Sequence, residues 1–164
     1  MRPRPGVLVF AYIITGKVSD LVMTPLADAA RTDELWRHTC FEAFLRGPSS
    51  AAYYEFNFAP STQWAAYKFN SYRSEMRVAT EIKAPGIAIE ARREQYMLQA
   101  SLELDGILPL ASGGGAAIWH VGLSAVIKET SGRQSYWALA HPPSKPDFHH
   151  SDCFALEVPQ AWRP

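Results

Sequence analysis

Apolar residues in this chain recur mostly with a period of two, in runs separated by clusters of Gly, Pro, Ser and Asp. Alternation of that kind places apolar side chains on one face of an extended backbone, so it predicts an antiparallel sheet protein. The runs predict strands over Val7–Thr15, Leu35–Arg46, Tyr53–Phe58, Trp64–Tyr72, Gly86–Arg93, Tyr96–Leu104, Ala117–Lys128, Gln134–Ala140 and Phe154–Val158, with one helical turn within Thr24–Glu34. Each half-apolar strand must bury a face, and two packed layers do this for so many strands, so the fold class expected is all-β, an antiparallel β-sandwich. No repeat or linker interrupts the pattern. SGGG at Ser112–Gly115 reads as a flexible loop, and residues 1–164 read as one domain.

The segment YYEFNFAPSTQWAAYKFNSYRS, Tyr53–Ser74, predicts a hairpin closed by a Pro-Ser-Thr turn. Tyr54, Phe56 and Phe58 share one face of its first strand, and Ala65, Tyr67 and Phe69 share one face of the second. Pairing both sets on the core leaves Tyr53, Glu55, Asn57, Trp64, Lys68, Asn70 and Tyr72 on the other face, since a one-residue slip moves every side chain across the sheet. Flat rings interleaved with carboxylate, amide and ammonium groups suit a sugar, whose apolar faces stack and whose hydroxyls bond. Further along, Trp36, His38, Glu42 and Phe44 alternate together, as do Trp137 and His141.

Charge narrows the partners. Lys and Arg balance Asp and Glu at 16 each, with 48% hydrophobic and 20% charged residues. A balanced chain has no general attraction to nucleic acid or anionic membranes, and no apolar run approaches the ~20 residues of a spanning helix. Arg2 and Arg4 before VLVFAYII imitate a secretory signal, but no small-residue cleavage site follows, so a cytoplasmic location is expected. Cys40 and Cys153 lack any redox or zinc spacing and read as buried thiols.

DELWRHTCFEAFL at Asp33–Leu45, then YYEFNFAPSTQWAAYKFNSYR, VGLSAVIKE, SYWALAHPPSKPDFHH and CFALEV resemble, in this order, the bacterial DOMON-like proteins related to the family-nine carbohydrate-binding modules. By that resemblance Glu42 and Phe44 correspond to a hallmark acidic strand motif, and Tyr54, Glu55, Phe56, Asn57 and Pro60 to a second. It implies a β-sandwich and a non-catalytic ligand-binding domain. Thr39 and Cys40 stand where the carbohydrate modules carry an acidic residue, and the chain starts almost directly in a strand, which leaves an edge less covered and makes a homodimer an open alternative. Related DOMON domains bind sugars or haem, so ligand identity does not travel with the fold.

The expected function is therefore carbohydrate or sugar-derivative binding without catalysis, with Trp36, Trp64, Tyr72 and Trp137 as stacking rings and His38, Glu55, Asn57, Arg73, His141 and His149 as polar contacts. No cofactor is required. The resemblance gives the alternative of a haem b electron-transfer domain, with Met76 and His149 as axial ligands; a protein interaction module pairing through an edge strand is the third reading. HPPSKPDFHHSD at His141–Asp152 concentrates metal donors, but His149 and His150 point apart in extended chain, so the stretch reads as a proline-stiffened rim of a binding site. Ser124 lacks a nucleophile elbow, and Cys40 beside His38 has no third orienting group, so no metal or catalytic centre is expected.

Overall fold

The computed structural model describes residues 6–105, 107 and 118–159. The SGGG loop lies outside them. The strands run in chain order as β1 Val7–Thr15, β2 Cys40–Arg46, β3 Tyr53–Phe58, β4 Trp64–Phe69, β5 Arg77–Val78, β6 Gly86–Ala91, β7 Gln95–Glu103, β8 Ile118–Lys128, β9 Gln134–Ala138 and β10 Leu156–Pro159. They form two antiparallel sheets packed as a β-sandwich. The smaller has the order β1-β7-β6, and the larger β10-β8-β2-β3-β4-β5, with β9 also pairing β8. β9 meets Ser124 to Lys128 and β10 meets Ile118 to Val121, so both lie along β8 on the edge that β2 leaves open.

The smaller sheet follows its alternation. In β7, Tyr96, Leu98, Ala100 and Leu102 are buried while their neighbours are partly open, and register sets Phe10 opposite Ala100 and Tyr12 opposite Leu98. Facing them from the larger sheet are Phe41, Ala43 and Leu45 of β2, Phe56 and Phe58 of β3, and Val121 of β8. Each such large side chain contributes about 1.5–3 kcal/mol by leaving water.

The larger sheet breaks the pattern, because β2 and β3 are buried on both faces. Its outer face carries a second apolar cluster of Cys40, Phe44, Tyr53, Ala65, Tyr67, Phe69 and Val126, covered by Leu35 and Trp36 from one side and Phe148 and Phe154 from the other. This corrects the hairpin register: Phe58 pairs with Trp64 and Tyr53 with Phe69, so odd positions oppose odd ones. Trp64, Ala66 and Lys68 lie with Tyr54, Phe56 and Phe58, and Tyr67 and Phe69 join Tyr53 and Glu55 outside. With both faces apolar, alternation carried no sign to tell one from the other.

β2 begins at Cys40, later than its sequence pattern suggests. Leu35–Arg37 is a 3-10 turn entered through Glu34 in the left-handed region, φ 61°, so Trp36 and His38 are not strand partners of Glu42. The Thr24–Glu34 segment contains no helical turn either. It runs extended, bridging Arg31 to Trp64, and the Arg31 guanidinium stacks over the Trp64 ring at 4.1 Å while donating to the carbonyls of Ala66, Ala79 and Ile82. Thr39 adds a latch, donating to the Val22 carbonyl at 2.7 Å and accepting from the Lys128 amide. Both thiols are buried and unbridged, as expected.

Candidate functional site

The outer face of the larger sheet opens into a groove of about 750 Å³ between these covering segments. Period-two geometry sets its floor: Glu42 of β2, Glu55 of β3, Phe69 of β4 and Val126 of β8 all project outward. Trp36, Arg73, Met76, Lys128, Tyr136 and Asp147 to His149 form its walls, with the Tyr136 ring against Phe148.

Two buried carboxylates dominate the floor, with Glu42 4% and Glu55 5% exposed. Asn57 lies directly opposite Glu42, which makes Glu55 its diagonal neighbour, close enough across the strand pair for the charges to interact. Asn57 Nδ2 donates to Glu55 Oε1 at 2.9 Å, and the Cys40 thiol meets Asn57 Oδ1 at 3.7 Å, which fixes the amide's orientation. Ser124 Oγ donates to Glu42 Oε2 at 3.3 Å. Burial holds the Glu42 carboxyl well above its ordinary range, the Glu55 charge adds to this, and the Ser124 bond and Arg73 act against it. Burial likewise pushes Glu55 up to about 7 in spite of Asn57 and Arg73. The Cys40 thiol is driven upward by burial and by both carboxylates, so it stays protonated and serves as a donor.

His149 closes the site from above. Its ring sits edge-on to Phe44, Tyr53 and Phe69 at centroid distances of 5.2, 5.8 and 5.0 Å. Removal from water in this aromatic box lowers its pKa to about 4, with Arg73 acting in the same direction and Asp147 against it, so the imidazole is neutral. The Tyr53 hydroxyl accepts from the Arg73 amide at 3.1 Å and lies 2.8 Å from His149 Nδ1. Nε2 lies 3.5 Å from Glu55 Oε2, and the tautomer with the proton on Nε2 points a donor at that carboxylate while the Tyr53 hydroxyl donates to Nδ1.

The rim is tied by contacts distant in sequence. Arg73 pairs with Asp147 at 2.7 Å, the Tyr72 hydroxyl bonds the same carboxylate, and Asp147 Oδ1 accepts from the His149 amide. Burial alone would raise Asp147, but the bonds from Tyr72 and Arg73, with the Arg73 charge, carry it below its usual value. Arg73 and Glu75 both adopt left-handed backbone, φ 51° and 52°, a conformation that costs non-glycine residues energy; Arg73 is held in it by its bonds to Tyr53 and Asp147, and the Glu75 carboxylate accepts from Asn70. Below the loop, β8 presents Gly122, where a Cβ would stand 2.9 Å from the Cys153 carbonyl oxygen.

Of the residues expected at a site, Trp36, Glu55, Arg73 and His149 line one groove together, Asn57 is fully buried beneath it, and Tyr72 stands at the rim, 56% exposed. The other four are elsewhere. His38 is exposed beyond the 3-10 turn, and His141 is exposed with its ring 6.2 Å from that of Phe148. Trp64 is packed in the inter-sheet core, 5% exposed. Trp137 is 63% exposed and borders a separate, mainly apolar cleft between the sheets with Ile13, Leu123 and Leu139. Tyr136, its neighbour on β9, has the groove position instead. Glu42, Ser124, Phe69 and Asp147 complete the site; alternation with Phe41 and Ala43 was the available signal for Glu42, whereas the pattern assigned Phe69 to the core. Among the described residues, no group of three or more His, Cys, Asp or Glu is placed to hold a metal ion, and no helix is long and apolar enough to cross a membrane.

Met76 and His149 both line the groove, but the haem alternative fits poorly. His149 Nδ1 is committed to Tyr53 and Nε2 faces Glu55, so an axial bond would break this arrangement, and a porphyrin would lie over two carboxylates.

A groove walled by loops thus lies on the outer face of the larger sheet of a β-sandwich. In fold, the chain is similar to a solved protein from Bacteroides uniformis ATCC 8492 described as a "putative carbohydrate-binding protein", with a TM-score of 0.56 and 10% identity over 91% of this chain and 71% of that one. No protein-family model matches the chain, and no curated protein matches it in sequence.

Proposed function

We propose that this protein is a non-catalytic binding domain for a carbohydrate or sugar derivative, of the DOMON-like kind related to the family-nine carbohydrate-binding modules. The observation that carries the reading is the groove itself, in which two oriented carboxylates form the floor and Trp36, Phe69 and Tyr136 supply flat apolar surface. Carboxylates accept hydrogen bonds from hydroxyls, rings bury the apolar faces of a sugar, and a ligand lacking the hydroxyls leaves buried acceptors unpaired. The likeness in fold to the Bacteroides protein agrees with it. For the cytoplasmic location expected from the sequence, a soluble sugar, nucleotide sugar or cell-wall precursor is the fitting target.

Raised carboxyl groups also characterise acid–base catalysts. Glycosidase acids, however, flank the scissile bond, whereas Glu42 and Glu55 stand side by side on one sheet face and meet a ligand from the same side. Recognition is the chemistry this arrangement serves. A thermal-shift and calorimetry panel of mono- and disaccharides tests it: the melting temperature rises with at least one sugar, and Trp36→Ala and Glu55→Ala abolish the response. A panel without any response, or one that survives both substitutions, overturns the proposal.

A further inference from the structure

We infer that the ligand of this groove carries an ammonium group, seated against Glu42 and Glu55. The inference rests on the sugar-binding reading and names the class of sugar derivative.

Both carboxylates have lost most of their hydration, and among the described residues neither is neutralised by a cation of the protein. Arg73 is spent on Asp147, and Arg37 on Glu34 at 2.9 Å. Lys128 borders the groove without forming an ion pair to either glutamate, and His149 is uncharged. The carboxylates are also under-bonded. Glu42 Oε2 receives only Ser124, and no donor among the described residues reaches its other oxygen; Glu55 Oε1 has Asn57, and Oε2 faces His149 only at 3.5 Å. Glu42 is thus a side chain more than nine-tenths buried, with an unpaired acceptor lining an open groove.

Buried carboxyls without a counter-charge hold on to protons, and ionising them is costly until a counter-charge and hydrogen bonds meet them together. A neutral sugar supplies the bonds alone. An ammonium supplies both, since it has three donors and one positive charge, and two diagonal carboxylates on one sheet face can share it. The aromatic rings of Trp36 and Phe69 line the same groove, and the negative face of an aromatic ring attracts a cation. An amino sugar with a free amine satisfies the whole set: ring faces for the aromatics, hydroxyls for the rim, and the amine for the floor.

The experiment is calorimetry at neutral pH with glucose, glucosamine and methylamine as probes, on the wild type, Glu42→Gln, Glu55→Gln and, as a control outside the groove, Trp137→Ala, each first shown to be folded by its melting curve. Glucosamine should bind about tenfold or more tightly than glucose, each glutamate substitution should erase that preference, and Trp137→Ala should leave it intact. Equal binding of glucose and glucosamine overturns the ammonium while leaving the sugar reading standing. Methylamine bound in a Glu42- and Glu55-dependent way with both sugars silent does the converse, retaining the ammonium and removing the sugar. Silence from all three probes overturns both.

Discussion

Glu55→Gln should make the folded protein more stable, and more so as pH rises. In the unfolded chain a glutamate titrates near its ordinary 4.5, whereas the buried one is held up to about 7. Between these values the native state keeps a proton that the unfolded state has released, so stability falls as pH rises through the window and the full cost is present above it. A tenfold change in proton affinity is worth about 1.4 kcal/mol, which puts that cost at about 3 kcal/mol near pH 8 and just under 1 kcal/mol near pH 5. The parent protein alone will not display it. His149, lowered from 6.5 to about 4, gives the opposite slope, because the unfolded histidine charges first as pH falls through that range. The two slopes overlap and oppose each other, but Glu42, also held well above its ordinary range by burial, adds a second fall, so the wild-type profile sums three groups. Gln cannot ionise, and its Oε1 still accepts from Asn57, so the difference between variant and parent reports the Glu55 charge together with its repulsion of Glu42. Urea unfolding at about pH 5 and about pH 8 measures it, with a gain of roughly 2–3 kcal/mol expected at the higher pH and little at the lower. A variant less stable than its parent at the higher pH, or one with the same difference at both, would refute the reasoning.

Three further substitutions separate site from scaffold. Trp64→Ala should cost about 3–5 kcal/mol, since it empties a core position and removes the surface on which Arg31 stacks, while Trp137→Ala should change stability by less than about 0.5 kcal/mol and leave ligand binding untouched; denaturant midpoints decide both. Gly122→Ala sets a Cβ against the Cys153 carbonyl and should cost about 1–3 kcal/mol and weaken ligand binding as the loop above is displaced, whereas an unaffected melting temperature would show that the loop moves freely there.

Legibility from sequence followed burial. β1 and β7 were readable because one face of each looks into the core and the other to solvent, so alternation states both the strand and its orientation. β2, β3 and β4 were readable as strands, and the core faces of β2 and β3 with them, but the facing of β4 was not, because Leu35, Phe148 and Phe154 cover the outer face with residues remote in sequence. That is why Trp64 reads as a stacking ring and is instead core, and why Trp36 reaches the groove from a 3-10 turn when the pattern placed it on a strand. Glu55 and His149 were visible as candidates. What joins them is a set of contacts between Tyr53, Arg73 and the loop at Asp147, which only folding brings together.

The sharing of one β8 edge by β9 and β10 bears on how such a protein can change its target. The connection over residues 139–155 leaves that edge and returns to it, and it carries Asp147, Phe148 and His149 over the carboxylates on the way. Its two anchors are strand pairings whose geometry does not depend on the length of chain between them. Insertions or exchanges in this one stretch could thus rewrite the upper wall of the groove while the sheet register beneath stays as it is. Selection acting on a single contiguous segment has a short path to new specificity, and relatives of this chain should differ most there.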